Sequence, residues 1–320
     1  MAARFRPRWA WALAASVAAG AAAFLTYVPA RATALQAPGG GQVRALAIGV
    51  NDYRAFRPLR GAVADAQDLA GTLRKLGAQD VTLLTDAGAS RDAVMAAADA
   101  LTKRIGRGDL VIVSIAGHGA QEPEKVKGSE PDGNEEVFLL AGFDPATGPG
   151  SRERVLDKEF NVLVKRMEEK GATVVFVADA CHGGGLAREA DPRGAELSYR
   201  QVPRFAISDD ELKPIVTEAD AFLTQVDFER SVFLGAVDKF SKAPEVKIPD
   251  VPGWRGALSY AVARAAEGAA DADKDGQVTL AELYAYVRQV AYQLTDQRQN
   301  VVTINAPALD MRKAAVFRSA

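Results

Sequence analysis

The sequence predicts an α/β fold, a mostly parallel β-sheet flanked by helices. Three observations predict it: short apolar runs rich in β-branched residues recur from Val43 onward, longer amphipathic stretches fill the gaps between them, and no segment is repeated. Strand-length and helix-length patterns in alternation are the mark of βαβ units. The expected strands are Val43 to Val50, Val81 to Thr85, Asp109 to Ile115, Thr173 to Ala178, Ser231 to Val237 and Val301 to Ile304. Helical periodicity runs through Ala62 to Leu76, Ser90 to Ile105, Asp157 to Lys170 and Leu280 to Leu294, with Ser90 and Asp157 expected as N-caps. The unbroken rhythm over 43–318 argues for one domain rather than two.

The chain has 320 residues, 48% of them hydrophobic and 25% charged, which describes a globular chain with ample core. Its first 34 residues stand apart. Arg4, Arg6 and Arg8 precede an apolar run from Trp9 to Leu25, and Ala30 to Ala34 offers small-residue cleavage sites, so 1–34 reads as a secretory signal peptide. The rival reading is an uncleaved anchor over residues 9–28, long enough to cross a bilayer. The first reading makes the protein exported, periplasmic or secreted; the second tethers it to a membrane. Residues 35–42, rich in Gly and Pro, read as a linker. Removing 1–34 takes away four arginines and no acids, so the formal charge moves from −2 to −6. That balance, with no basic stripe and no interleaved aromatic run, excludes nucleic acid as the expected partner. No later segment has the length and apolarity of a span, so no membrane partner is expected beyond the N-terminus.

A chain bound for an oxidising compartment has a single cysteine, Cys181, and so no internal disulfide. Most free cysteines are small buried hydrophobes. Here the setting argues for chemistry. His118 follows one expected strand and Cys181 another, so both lie at carboxyl ends of parallel strands, the edge where open α/β sheets bind ligands. Gly117 and Gly119 flank the histidine, and Gly183 to Gly185 follow the cysteine. Glycine admits close backbone approach, and free N–H groups beside a nucleophile can hold an oxyanion. A thiol is little ionised at neutral pH, and an imidazole that takes its proton makes it a working nucleophile. Of the two histidines, His182 adjoins Cys181 and points to the opposite side in an extended segment, which leaves His118 as the base.

These residues carry a family resemblance. SIAGHGA (Ser114 to Ala120) and VADACHGGG (Val177 to Gly185) resemble the histidine and cysteine boxes of metacaspases, in the caspase–haemoglobinase group. The likeness extends to RALAIGVNDY (Arg44 to Tyr53), LRGAVADAQDLAGTL (Leu59 to Leu73) and FLLAGFDP (Phe138 to Pro145), and more weakly to SVFLGA and GWRGALSYAV. It implies a caspase-like three-layer sandwich with a six-stranded sheet, divided into a large portion (about 43–187), a joining segment (about 188–229) and a small portion (about 230–318). It also implies a cysteine endopeptidase with a Cys181–His118 dyad and a thioester acyl-enzyme, an oxyanion site at the Gly119 and Cys181 amides, and peptide or protein substrates. By motif position Asp65 and Asp179 are the acidic groups that select arginine or lysine before the scissile bond. Helix capping for Asp65 and a hydrogen-bonded strand end for Asp179 are the plainer readings.

The sequence departs from the family pattern at Ala116, at Ala62 and in Cys-His-Gly-Gly, which loosens the lysine/arginine expectation more than the catalytic one. Arg60 lies one position from where true caspases place an aspartate-reading arginine. Arg188, Arg193, Arg200 and Arg204 fall in the joining segment; self-cleavage after one of them stands against an ordinary surface loop. The alternative function is a catalytically silent caspase fold serving as a calcium-dependent binding or scaffold protein.

That alternative draws on a second motif. DADKDGQVTLAE, Asp271 to Glu282, fits D-x-D-x-D-G-x5-E at every defined position. Asp271, Asp273 and Asp275 supply hard oxygens, Gly276 the sharp turn, Gln277 a carbonyl, Thr279 the ninth position and Glu282 a bidentate carboxylate, so Ca²⁺ is the expected cofactor, with no organic one. The plainer reading is an acidic turn with Thr279 as the N-cap of the next helix. Glu130, Asp132, Glu135 and Glu136 resemble a further family calcium segment, but Arg188 stands where another acidic ligand is expected, and a solvated acidic loop is the expectation there.

Overall fold

The computed structural model describes residues 34–181, 198–224, 227–237 and 241–319. The expected signal segment, His182, Gly183 to Gly185, Arg188 and Arg193 lie outside them. The central sheet is formed by β1 (Val43–Gly49), β2 (Asp80–Thr85), β3 (Leu110–Ala116), β4 (Thr173–Asp179), β5 (Ser231–Gly235) and β6 (Val302–Asn305) in the order β6-β5-β4-β3-β1-β2. All neighbours are parallel except β5 and β6. The six expected strands match within two residues at each end.

The layers follow from period-two burial in strands buried on both faces. In β3, Leu110 and Ile112 face a core shared with Leu69 and Leu73 of α1 (Ala62–Lys75), with Leu258 and Val262 of α4 (Ala257–Arg264), and with Leu283 and Val287 of α5 (Leu280–Leu294). Val111, Val113 and Ile115 face the other way, against Val94 and Leu101 of α2 (Arg91–Arg104) and Phe160, Leu163 and Met167 of α3 (Asp157–Glu169). This is a caspase-like three-layer sandwich with helices on both faces. Helix α4 was not foreseen because its Ala257, Leu258, Ala261, Val262 and Ala263 are buried on nearly every side, which erases the amphipathic period.

Local differences have physical causes. Ser90 caps α2, accepting from Ala93 N–H at 3.3 Å. Asp157, in contrast, is the first residue of α3; Leu156 is its N-cap, because Glu159 reaches back to the Leu156 N–H at 3.1 Å. The segment expected as a solvated acidic loop is in part a strand, Asn134–Leu139, paired with Gly119–Pro123 and Arg154–Leu156. Glu135 is buried there, and Lys158 Nζ lies 3.2 Å from it and 2.9 Å from Glu130. Residues 35–42 are partly built into the fold, Leu35–Gln36 pairing with Ala315–Ser319, a strand that also pairs with Gln277–Thr279.

Candidate active site

β3 and β4 run side by side with Ala116 opposite Asp179, so the residues just beyond them, His118 and Cys181, emerge at the same edge. Both meet the backbone of one residue, Arg200. Its carbonyl oxygen accepts from Gly119 N–H at 3.1 Å and from Cys181 N–H at 3.3 Å, the two amides expected to hold an oxyanion.

The His118 ring is oriented by what surrounds it. Its Nε2 lies 2.9 Å from the Arg57 carbonyl, its backbone N–H donates to Tyr53 Oη at 2.7 Å, and the Tyr53 ring packs 4.6 Å away. A carbonyl can only accept, so Nε2 carries the proton and Nδ1 is left as the basic nitrogen. Among the described residues that buried Nδ1 has no hydrogen-bond partner. Burial lowers the pKa of His118, against the backbone carbonyls of Arg57 and Arg200, so the imidazole is neutral and ready to accept a proton. Gly117 permits the Tyr53 contact, since a Cβ there would strike the Tyr53 oxygen.

Cys181 is fully buried. Its Sγ accepts from Ala243 N–H at 2.7 Å and donates to the Ala243 carbonyl at 3.6 Å. Burial pushes the thiol up to about 12, only partly offset by the Ala243 N–H.

Beyond the dyad lies an acidic recess. Arg200, with no exposed surface, sends its guanidinium between Asp65 and Asp179. Nη2 pairs with Asp65 Oδ2, while Nη1 lies 3.0 Å from Asp179 Oδ1 and donates to the Asp179 carbonyl at 2.8 Å. A third buried carboxylate, Glu245, has Oε1 3.9 Å from Nη2. Three carboxylates around one guanidinium would be costly without further donors. Two helix starts supply them. Gly256 N–H, at the N-cap of α4, donates to Asp65 at 2.9 Å and Ser259 N–H in its first turn to Asp179 at 2.8 Å; at the start of α1, Gly61 and Arg60 N–H donate to Glu245 at 2.6 and 3.0 Å. Burial opposes the charge on Arg200, but Asp179, Asp65 and Glu245 outweigh it and raise its pKa. Gly256 is needed here, because a Cβ would collide with Asp179 Oδ2 and the guanidinium.

The structure thus brings Asp65, Asp179, His118, Gly119 and Cys181 together. Asp65 is neither a cap nor solvated, and Arg200 is no surface-loop arginine. Sequence reasoning missed Glu245 and Arg57. Glu245 sits on a three-residue strand, Pro244–Val246, too short to show a period, and Arg57 contributes a backbone carbonyl, which no side chain signals. Arg60 stacks 3.6 Å over the Trp254 ring, away from an aspartate-reading role.

The acidic-loop residues, Asp271 to Glu282, lie elsewhere, after α4. Asp271, Asp273 and Asp275 bring carboxylate oxygens within 4.8 Å of one another, and the buried Asp271 Oδ1 has no partner among the described residues. Lys274 and Gly276 turn the loop with φ of 63° and 84°. Glu282 accepts from Ala272 N–H at 3.0 Å and Thr279 N–H at 2.9 Å, and Thr279 caps α5 as the plainer reading of this segment has it. The donor set fits a hard cation, with Glu282 required to turn inward to complete it.

A thiol, an imidazole whose basic nitrogen has no partner among the described residues and two amides aimed at one carbonyl lie together at the carboxyl edge of a sheet of the caspase architecture. The family model for the caspase domain, peptidase family C14, matches residues 42–301, and the chain belongs to that family. It is 31% identical to metacaspase-7 of Arabidopsis thaliana over 169 residues, 50% of this chain and 40% of the relative. It is 27% identical to metacaspase-1A of Aspergillus fumigatus over 153 residues, 45% of this chain and 35% of the relative. The chain therefore spans less than half the length of these relatives. A crystal structure of a Geobacter sulfurreducens protein shares the fold, with a TM-score of 0.56 and 21% identity over 83% of this chain and 95% of that one.

Proposed function

We propose that the protein cleaves peptide bonds after arginine, and less readily after lysine, by a Cys181–His118 dyad. The observation that carries this reading is the burial of an arginine side chain between Asp65 and Asp179 while the carbonyl of that same residue rests on the Gly119 and Cys181 amides. An arginine before a scissile bond would occupy the same positions. His118 Nδ1 takes the proton of Cys181 as Sγ attacks the carbonyl carbon. The oxygen, now negative, stays on the Gly119 and Cys181 N–H groups, whose donors are already aimed there. His118 returns the proton to the departing amine, leaving a thioester that water then hydrolyses. Asp65, Asp179 and Glu245 bind the guanidinium; its planar fork reaches two carboxylates at once, which a lysine ammonium does as a point charge.

Calcium at Asp271 to Glu282 belongs to the same proposal as a structural tie rather than a reacting group. Supporting this, the loop joins α4, whose first turn holds Asp65 and Asp179, to α5 and to the Gln277–Thr279 strand. Export is likewise proposed from the arginine-flanked apolar leader, and N-terminal sequencing of the protein recovered from outside the cytoplasm tests it.

The experiment for the activity is hydrolysis of fluorogenic peptides ending in Arg, Lys, Asp or Asn, with calcium or chelator, beside Cys181→Ala. Cleavage after Arg that vanishes in the variant is the expected result. Cleavage only after Asp or Asn overturns the acidic recess, and no cleavage of any peptide favours the silent binding protein.

A further inference from the structure

The recess accounts for one side chain of a substrate, and the strand that leads into it accounts for another. Ser198–Tyr199 pairs antiparallel with Pro244–Val246, Tyr199 opposite Pro244 and Ser198 opposite Glu245, and Arg200 N–H continues the pairing by donating to the Ala243 carbonyl at 3.1 Å. Side chains two apart on such a strand share a face. Ser198 therefore points inward beside Arg200 and is buried, whereas Tyr199 points outward and is half-buried. The group that meets Ser198 is the Arg57 guanidinium, whose Nη2 donates to the hydroxyl oxygen at 3.3 Å. Arg57 stands in the loop before α1, where its carbonyl orients His118, so the backbone that carries this guanidinium is tied to the catalytic geometry. The side chain is exposed, and no carboxylate among the described residues pairs with it. A neutral hydroxyl is a weak partner for a guanidinium, whose fork matches a carboxylate. Glu245, opposite Ser198, does not fill that role, because its carboxylate accepts from Arg60 and Gly61 N–H at 3.0 and 2.6 Å. The other charged groups beside this short sheet are also cationic: Lys242 Nζ lies 5.8 Å over the Tyr199 ring, and Lys247 Nζ lies 5.2 Å over the Trp254 ring that Arg60 also covers. An acidic recess for one residue thus adjoins a basic border for the residues before it.

Resting on the peptidase reading above, we infer that Arg57 is a specificity-determining residue, which selects substrates with an aspartate two residues before the scissile arginine. A substrate strand in the place of Ser198–Arg200 sets that side chain against the Arg57 guanidinium. The aspartate Cγ stands where Ser198 Oγ stands, and its two oxygens extend toward Nη2, replacing a neutral hydrogen bond by a charge-assisted one. Burial limits the length of the side chain, since Ser198 fills its place with 4% exposure; aspartate fits with a small movement of the exposed Arg57 side chain. Lysine at that position brings two cations together with no counter-charge between them. The residue between aspartate and arginine lies at the Tyr199 position, against Lys242 and solvent, and is read less strictly. Arg57 acts on His118 through its carbonyl and on the substrate through its side chain, so replacing the side chain separates the two roles.

The test measures kcat/KM of the full chain on three fluorogenic peptides, Asp-Tyr-Arg, Ser-Tyr-Arg and Lys-Tyr-Arg, beside Arg57→Ala and Arg57→Glu. Its readout is the ratio between peptides within one protein, which cancels any change a variant brings to His118 or to folding. In the wild type the aspartate peptide is expected to exceed the serine peptide by about 5-fold at low salt, with the lysine peptide slowest. Arg57→Ala brings the aspartate-to-serine ratio to about 1, and Arg57→Glu inverts the order so that the lysine peptide leads. Salt at about 0.5 M shrinks the wild-type ratio, because screening acts on a partly exposed pair. Cleavage of the three peptides at equal rates or with lysine first in the wild type overturns the role of Arg57 alone, as does an aspartate preference that Arg57→Ala leaves in place. Cleavage of none of them, with calcium or with chelator, overturns the underlying reading as well.

Discussion

The protein gathers acidic groups in two places, and it satisfies them in opposite ways. In the recess, Asp65, Asp179 and Glu245 come from positions 66 to 180 residues apart, carry no exposed side-chain surface and converge on one guanidinium and two helix starts. In the acidic loop, Asp271, Asp273, Asp275 and Glu282 come from twelve consecutive positions, are half-buried or exposed, and satisfy much of their hydrogen bonding within their own turn. Buried charge must be matched by partners already in place, whereas exposed charge leans on water and waits for an ion. The recess should therefore be fragile to the loss of any partner and the loop tolerant.

The largest effect that sharpens this contrast is on the recess. In a Cys181→Ala background, Arg200→Met leaves three buried carboxylates unmatched and should cost about 3–5 kcal/mol in urea unfolding. Asp273→Asn in chelator should stay within about 0.5 kcal/mol. Equal losses at the two sites would erase the distinction.

The burial that makes the recess fragile also silences its thiol. With Cys181 pushed up from 9.0 to about 12, the intact protein should react with iodoacetamide at pH 8.5 about 1,000-fold more slowly than a free cysteine does. The folded state keeps a proton that the unfolded chain gives up near pH 9, so this burial costs stability increasingly from about pH 9 to about 12 and nothing below. A fast-labelling Cys181 would mean that the Arg200 segment does not cover it.

Calcium at about 100 times its dissociation constant should stabilise the wild-type chain by about 2.7 kcal/mol, read as a rise in melting temperature, and Asp271→Asn should abolish the rise. Without calcium, Thr279→Ala removes a helix cap and should cost about 1 kcal/mol. Glu282 shows the opposite pH sign to Cys181. Although burial works to raise its pKa, the Thr279 and Ala272 N–H groups and the Thr279 hydroxyl outweigh it and lower it. Its contribution is therefore present above the usual carboxylate pKa and lost as pH falls through the lowered one. Glu282→Gln should cost a few tenths of a kcal/mol at pH 7 and nothing once acid has protonated the wild-type carboxyl.

The same contrast separates what could be read in one dimension. Strands, three of the four expected helix starts and the entire 271–282 loop depend on neighbours a few positions away, so alternation, the cap at Ser90 and the D-x-D-x-D-G spacing reported them directly. The nearness of His118 and Cys181 was legible for a different reason, since a parallel sheet puts every strand's carboxyl end on one edge, and glycine flanks His118 and follows soon after Cys181. Asp65 and Asp179 were visible through family motifs, not through any local pattern. Where the chain lay fully inside, as in α4, the pattern went silent because no face remained polar.

By itself, then, the amino-acid sequence determined the element order, the shared sheet edge of Cys181 and His118, and the acidic loop, because each rests on local periodicity or on strand-end placement. Only the tertiary structure decided that Glu245 joins the recess, that the Arg57 carbonyl leaves His118 Nδ1 as the basic nitrogen, and that Arg200, of four arginines in one segment, fills the recess. Those facts depend on distances between residues as far apart as Asp65 and Glu245, and only the packing of helix starts against a sheet edge fixes such distances.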